Sequence, residues 1–361
     1  MNITIIGAGP IGCYCGNLLA KAGHSVDIYE EHKEIGNPIQ CTGLLTADFD
    51  QFKLPKESFL VNTFSQIEVN SLHQTAIIKQ KEYLVNRSRF DLFFADLARE
   101  AGAKIHLQHT FVRKEGDHII IKDSKDNKEL KLQPEVVIGA DGPLSRTAKA
   151  YGFYHAKRIN YQGIQALVEG KCNPQTYQTF FGTEICPDLF AWIVPESETK
   201  ARVGLASTKD ARKLFDTFMS NNNFSVLEMQ AGMIPLYHPQ QKLKQQNCYL
   251  LGDAAGFVKA TTLGGIIPGM RQAQILADCL TSHKDYEKEI KTLKKRMDLH
   301  LKIRKILNKF KDEDWDKLLE IIKQPKMQKL LEQHTRENPL PLVIKALIKE
   351  PKLWRFGKFL F

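Results

Sequence analysis

No stretch of this 361-residue chain approaches the roughly 20 consecutive apolar residues that span a bilayer. Internal repeats and low-complexity tracts are absent, which excludes solenoids and fibres. Neither HExxH nor CxxC occurs and the histidines are scattered, so no metal site is expected. Cysteine is sparse, with seven in all and no scaffold-like spacing. Reduced thiols and a cytoplasmic setting are therefore expected. The opening MNITIIGAGP has no basic region ahead of its apolar run and does not read as a signal peptide. With no RNP, helix-turn-helix or zinc motif, no nucleic-acid partner is expected.

What is present is ordinary for a soluble globular protein: 43% hydrophobic and 25% charged residues, in a length suited to two or three domains. The charge is less ordinary. Of the net +10, nearly all arises from Thr281 to Phe361, where 21 Lys and Arg face 12 Asp and Glu. A basic end of this kind suits an anionic partner. Here Trp354, Phe356, Phe359 and Phe361 stand among Lys352, Arg355 and Lys358, a pattern of membrane-surface segments. The plainer reading is a helical region docked on the nucleotide domain with a solvated lysine face.

The N-terminal residues carry the most specific signal. Ile3–Ile6 reads as a buried strand, Gly7-Ala8-Gly9-Pro10-Ile11-Gly12 as a turn into an apolar helix, and Ser25–Tyr29 as a second strand ending at Glu30. Gly7 permits the tight turn, Gly9 lets backbone N–H groups approach a pyrophosphate, and Gly12 lets the helix pack close to the strand. Glu30 follows Gly7 by 23 residues, near the spacing of an acid that binds the adenosine ribose.

Two later segments bear on which dinucleotide binds. Val136–Gly139 runs into Ala140-Asp141-Gly142, and Cys248–Leu251 into Gly252-Asp253-Ala254-Ala255-Gly256. Each sets a carboxylate at the C-terminal edge of a strand, where open α/β sheets bind ligands. Gly264-Gly265-Ile266 then precedes a helix, so its N–H groups and dipole can face a flat ring. Phe190, Trp192 and Val194 alternate and share one strand face, either plain core or the wall of a pocket for a long apolar ligand.

The ordered set GxGxxG…Glu, GADGxxS and LGDAAG resembles that of the p-hydroxybenzoate-hydroxylase-like FAD flavoproteins. Val85-Asn86-Arg87-Ser88-Arg89-Phe90-Asp91 resembles the VDRxxFD helix start of that group. Within it, the chain is most similar to the geranylgeranyl reductase family, including the archaeal digeranylgeranylglycerophospholipid reductases. Pro38-Ile39-Gln40-Cys41-Thr42-Gly43 resembles the family's PxxCxG loop. Phe190-Ala191-Trp192-Ile193-Val194-Pro195 with Gly204-Leu205-Ala206 resembles YxWxFP…GxG, and Gly252–Ile266 resembles GDAAGxVxPxTGGGI. Departures are Phe190 for Tyr, Val194 for Phe, Ala206 for Gly, Ala260 for Pro and Leu263 for Gly.

The resemblance implies FAD held by Gly7, Gly9, Pro10, Gly12, Glu30, Arg87, Asp141, Gly142, Gly252, Asp253, Gly256, Gly264, Gly265 and Ile266. It implies a prenyl substrate against Phe190, Trp192, Val194, Pro195 and Gly204, and Cys41 as the catalytic residue that relays a proton. The implied reaction saturates isolated C=C bonds of geranylgeranyl chains of membrane ether lipids by hydride from flavin N5 plus a proton. With no second GxGxxG, the electron donor stays open between NAD(P)H and a reduced ferredoxin-like partner. The expected fold is α/β: a discontinuous Rossmann-type FAD domain (1–50, 85–155, 245–282), a strand-rich substrate domain (51–84, 156–244) and a basic helical region (283–361) able to touch the inner face of the cell membrane. Two other readings stand beside this one. The first is an FAD-dependent monooxygenase or halogenase of an aromatic molecule. The second is a flavin-bearing scaffold or electron-transfer protein.

Overall fold

The computed structural model describes residues 1–154 and 158–360. The expected boundary at 155/156 and the terminal Phe361 lie outside the described residues. The chain opens as β1 (Asn2–Ile6), α1 (Pro10–Lys21) and β2 (Ser25–Glu30), then β3 (Leu44–Thr46), β4 (Leu60–Asn70), β5 (Thr75–Val85) and α2 (Arg87–Glu100). β6 (Lys104–Leu107), β7 (His109–Glu115), β8 (His118–Asp123), β9 (Lys128–Leu132), β10 (Val136–Gly139) and α3 (Arg146–Ala150) follow. Next are β11 (Asn160–Glu169), β12 (Thr176–Gly182), β13 (Cys186–Pro195), β14 (Lys200–Ser207), α4 (Ala211–Ser220) and β15 (Ser225–Pro235). β16 (Lys244–Gln245), β17 (Cys248–Leu250) and α5 (Ile266–Thr281) precede α6 (Tyr286–Glu289), α7 (Lys291–Leu307), α8 (Asp312–Ile322), α9 (Pro325–Gln333) and α10 (Pro339–Lys349).

The first sheet has the order β16-β17-β10-β1-β2-β6, parallel except for β16. β1 is central, and Ile3 and Ile5 are fully buried, as a strand covered on both faces requires. Helices α1, α2 and α5 pack together beside it. Asn86 begins α2 by accepting the N–H of Arg89 at 3.0 Å. Asn serves this capping role as well as the Asp it replaces. A small antiparallel sheet, β7-β8-β9, is an addition that the sequence did not announce.

The second sheet has eight strands in the order β15-β11-β14-β13-β12-β4-β5-β3, antiparallel except where β12 meets β4. Its strands come from both sides of α2, and it begins at Leu44, because β3 pairs with β5. Alternation sorts β13 between two faces. Leu189, Ala191 and Ile193 join a core with Phe215 and Phe218 of α4, while Phe190, Trp192 and Val194 line a cavity.

The C-terminal helices divide between the two sheets. Leu293, Met297 and Leu301 of α7 join the core of the first sheet. The helices α8 and α9 instead cover the second sheet, touching β5 and β12, and Trp315 packs against Phe181 with tilted rings whose centroids are 4.3 Å apart. Docking on the nucleotide domain thus describes α6 and α7, whereas α8 and α9 turn apolar side chains to the other sheet and α10 packs on α7 and α9.

Arg304 fixes this arrangement. It is 2% exposed and donates from Nε to the Ala260 carbonyl at 3.0 Å and from Nη2 to the Thr261 carbonyl at 2.5 Å. It ties α7 to the loop before α5. Arg304→Met should leave both carbonyls without donors and lower the unfolding free energy by on the order of 3 kcal/mol, measured by urea denaturation.

Candidate functional site

A cavity of about 1030 Å³ runs from the carboxyl edge of the first sheet, across one face of the second, to the C-terminal helices. Its first half is built by glycine. At Gly7 the chain takes φ +104°, and an added Cβ would lie 2.4 Å from the Ala140 carbonyl oxygen. At Gly12 a Cβ would lie 2.2 Å from the Gly7 oxygen, so α1 could not sit this close to β1. Gly12 therefore positions the helix and does not itself line the cavity. Gly9 and Gly142 do line it, with nothing within 4 Å of where a Cβ would stand. α1 starts at Pro10 with no side-chain cap, leaving first-turn N–H groups unspent beside that open space.

Carboxylates frame the groove. Glu30 accepts the Ala8 N–H at 2.8 Å and the His32 N–H at 2.9 Å, with His32 Nδ1 at 2.6 Å. Asp141 accepts the Ser145 hydroxyl at 2.5 Å and the Thr147 N–H at 2.9 Å, which fixes the turn carrying Gly142. Burial pushes its carboxyl above the ordinary value. Asp253 sits in a 3-10 turn, Gly252–Ala255, which Arg158 holds through the Asp253 carbonyl at 2.6 Å. Burial pushes its carboxyl up, against the pull of Arg87 and Arg158. Gly265 lies against it, since a Cβ there would be 2.8 Å from Asp253 Oδ1. Gly252, Gly264, Gly265 and Ile266 line the cavity, whereas Gly256 caps the turn beside Arg158 and does not. Leu263 adopts φ +53°, the left-handed conformation that a glycine takes freely.

These features fit FAD. Bare backbone at Gly9 and Gly142 leaves room for the cofactor, the start of α1 could offer donors to a pyrophosphate, Glu30 would face the ribose, and Gly264–Ile266 open α5 with no side chain capping it.

The second half is richer in apolar side chains, with Gln80, Gln165, Tyr177, Thr179 and Gln230 also on its lining. Phe190 and Trp192 are half-buried on the cavity wall, Val194 is buried, and the Trp192 indole N–H has no partner. Two expected wall residues stand elsewhere. Gly204 lies behind the wall, where a Cβ would meet Trp192 Cε2 at 2.8 Å, so its bareness lets the indole lie against the sheet. Pro195 falls outside the lining, and its carbonyl accepts from Asn62 at 3.1 Å. Trp315, Leu318, Leu342 and Val343 close the far side.

Cys41, Arg87 and Asp91 meet where the halves join. Cys41 is half-buried, lines the cavity and receives the Gly43 N–H at 3.4 Å. Arg87 is gripped by Asp91 through two hydrogen bonds of 3.0 and 2.9 Å. Burial opposes its charge, but the paired Asp91 carboxylate holds its pKa above the ordinary arginine value.

One group escaped the sequence reading. Three consecutive residues pin the C-terminal region to three other elements, and two of them, Arg336 and Glu337, line the cavity. Thr335 donates to Asp48, Arg336 pairs with the fully buried Glu82, and Glu337 pairs with Lys259. The Lys259–Glu337 pair is buried, and Thr46 also donates to Glu337 at 3.1 Å. Beside it, His300 is 1% exposed, shares a 2.7 Å hydrogen bond with Thr261 through Nδ1, and leaves Nε2 unpartnered. Burial, reinforced by Lys259, lowers its pKa to about 4. Taken alone in sequence, Arg336 and Glu337 are two more charges in a basic region, and their pairing partners are far away along the chain.

Comparison with known proteins places these features in context. A family model described as an NAD(P)-binding Rossmann-like domain matches residues 5–59. The chain is 27% identical to a digeranylgeranylglycerophospholipid reductase of Methanocaldococcus jannaschii, over 89% of this chain and 90% of that protein. It is 27% identical to digeranylgeranylglycerophospholipid reductase 2 of Methanothermobacter thermautotrophicus, over 88% and 90% respectively. Among solved structures, a geranylgeranyl bacteriochlorophyll reductase-like protein of Thermoplasma acidophilum superposes with a TM-score of 0.82 at 21% identity, covering 100% of this chain and 99% of that one. A flavin-dependent halogenase superposes at 0.71 and 15% identity, over 97% of this chain and 78% of that one. The likeness to geranylgeranyl reductases carried by the motifs thus extends over most of the chain.

Removing one partner of a buried ion pair strands the other. Lys259→Met should therefore cost about 3–5 kcal/mol of stability by chemical denaturation, and adding Glu337→Leu should recover much of that loss. His300 gives a pH test. Its folded pKa of about 4 lies below the ordinary 6.5, so between those values the unfolded chain binds a proton that the folded chain refuses. Stability from this residue is complete above pH 6.5 and falls as pH drops toward 4, by roughly 3 kcal/mol at most. His300→Gln should flatten the acid limb of a Tm-against-pH profile by that contribution.

Proposed function

We propose that this chain is an FAD-dependent oxidoreductase that saturates isolated alkenes of geranylgeranyl chains, most simply those of membrane ether lipids. The observation that carries the reading is the continuity of the cavity: a glycine-lined groove fit for FAD opens into a chamber walled by Phe190, Trp192 and Val194. The names of the similar proteins support the same substrate class.

Bound FAD would supply the hydride. The residues of the chain do the rest. An unconjugated trisubstituted alkene accepts hydride poorly, so a proton must lead or accompany the transfer, and positive charge then gathers on the tertiary carbon. Apolar walls keep water and other nucleophiles from that carbon. The flat faces of Trp192 and Phe190 hold the chain in line at low entropic cost. Cys41 stands at the junction of the two halves, where its Sγ can give a proton to the other alkene carbon. The sulfur left negative is then faced by the Arg87 guanidinium, whose own position Asp91 fixes. Either NAD(P)H in the same cleft or a reduced ferredoxin-like partner would restore the electrons.

Dithionite-reduced protein incubated anaerobically with a geranylgeranyl lipid should yield products heavier by two hydrogens per alkene, read by mass spectrometry. No gain with any member of a prenyl panel, or O₂ consumption coupled to an aromatic substrate, would defeat the reading. Cys41→Ala should bind FAD as the parent does and lose roughly 100-fold or more in kcat. Unimpaired turnover would remove Cys41 from the proton path.

A further inference from the structure

Among the described residues no helix is long and apolar enough to cross a membrane. One helix nevertheless turns large apolar side chains to water. Along α10, Leu340 is 53% exposed, Ile344 48% and Ile348 74%, and Trp354 in the following 3-10 segment is 66% exposed. The spacing of four aligns the three aliphatic residues in one stripe. The same helix has an inward side, where Pro339, Leu342 and Val343 line the cavity. Only the thickness of α10 separates the stripe from the chamber. Scattered exposed apolar residues need no explanation, but a periodic stripe on a helix walling an apolar cavity does.

Charge selects the occupant. From Pro339 to Phe361 there are five cations (Lys345, Lys349, Lys352, Arg355 and Lys358) and one acid, Glu350. That acid is buried and paired with Lys326 at 2.7 Å, so it does not offset the outward charge. The five cations are all exposed. Aliphatic stripe, exposed tryptophan and flanking lysines together match a segment that lies in the interface of an anionic bilayer, its lysines reaching the headgroups.

We propose that α10 and the segment after it dock on an anionic lipid surface and that a prenyl chain passes from that surface into the cavity alongside α10. The proposal rests on the prenyl-lipid reading above, and its test separates the two.

The FAD-loaded full chain is sedimented with vesicles of neutral phosphatidylcholine and with vesicles containing anionic phosphatidylglycerol. Binding to the anionic vesicles should exceed binding to the neutral ones by ~10-fold and fall with salt. Ile344→Glu/Ile348→Glu and, separately, Lys349→Glu/Lys352→Glu should keep the FAD content and Tm of the parent and lose most of this binding. The first double variant should also lose turnover of vesicle-embedded geranylgeranyl lipid by about 10-fold or more while keeping turnover of the same lipid in detergent micelles. Equal binding to both vesicle types, or variants that bind as the parent does, would overturn the proposal. So would a parent dimer that the first variant dissolves, since the stripe would then face a second copy. If no form reduces the micellar lipid yet the vesicle contrast holds, the surface stands and the reductase reading falls.

Discussion

An ammonium and a carboxylate withdrawn from water, Lys259 and Glu337, join the loop before α5 to the C-terminal roof. Such a pair adds little net stability over well-packed apolar side chains, because desolvation offsets the attraction. Its weight lies in geometry. Neither charge tolerates being left alone, so the roof has one position in which both are met. The neighbouring pairs, Arg336 with Glu82 and Thr335 with Asp48, narrow that position further by engaging β5 and the 3-10 turn Ala47–Phe52. Three consecutive residues thereby set the height of the roof above the second sheet, and with it the volume of the chamber.

The cavity so enclosed has two solvent characters. At the edge of the first sheet, backbone is left bare at Gly9 and Gly142, and donors and carboxylates face the space. Over the second sheet, side chains such as Phe190, Trp192 and Val194 present carbon to the space, interrupted by Gln80, Gln165 and Gln230. The change of character falls at Cys41, Arg87 and Asp91. A cation there is tolerable only because Asp91 pairs with it through two hydrogen bonds. Reacting groups brought to this boundary would meet charge on one side and a dry wall on the other.

The sequence announced those parts whose cause is local. The turn from β1 to α1 depends on glycine spacing within a few residues, and Asp141 and Asp253 lie only two and three residues past the ends of β10 and β17. The strands of the second sheet showed as alternation, yet their order did not, since the parallel pairing of β12 with β4 joins residues about a hundred positions apart. The sheet of β7, β8 and β9 went unseen because its strands are short and largely polar, apart from Ile119–Ile121. The roof pairs were invisible for a different reason. Glu337 lies 78 residues from Lys259 and Arg336 lies 254 from Glu82, and no periodicity marks a charge whose partner is that remote. Motif membership also failed to separate wall from support: Gly204 belongs to the same pattern as Trp192 but serves it from behind.

The departures from the family pattern have a common consequence at the wall. Phe190 stands where the pattern has tyrosine, so no hydroxyl at that position offers oxygen to the chamber. Val194, in place of phenylalanine, is 1% exposed and packs with Phe64, Ile67 and Tyr177, the last two of which line the cavity beside it. Ala260, in place of proline, turns its carbonyl to Arg304, and Leu263, in place of glycine, takes the left-handed backbone that the loop needs. A left-handed leucine is costly, and it persists only because the loop is held from elsewhere. Its own N–H is bound to the Lys259 carbonyl at 2.8 Å, and Lys259 is in turn anchored by Glu337. The ion pair that sets the height of the roof therefore also holds the loop that leads into α5, and the two halves of the cavity share one mechanical support.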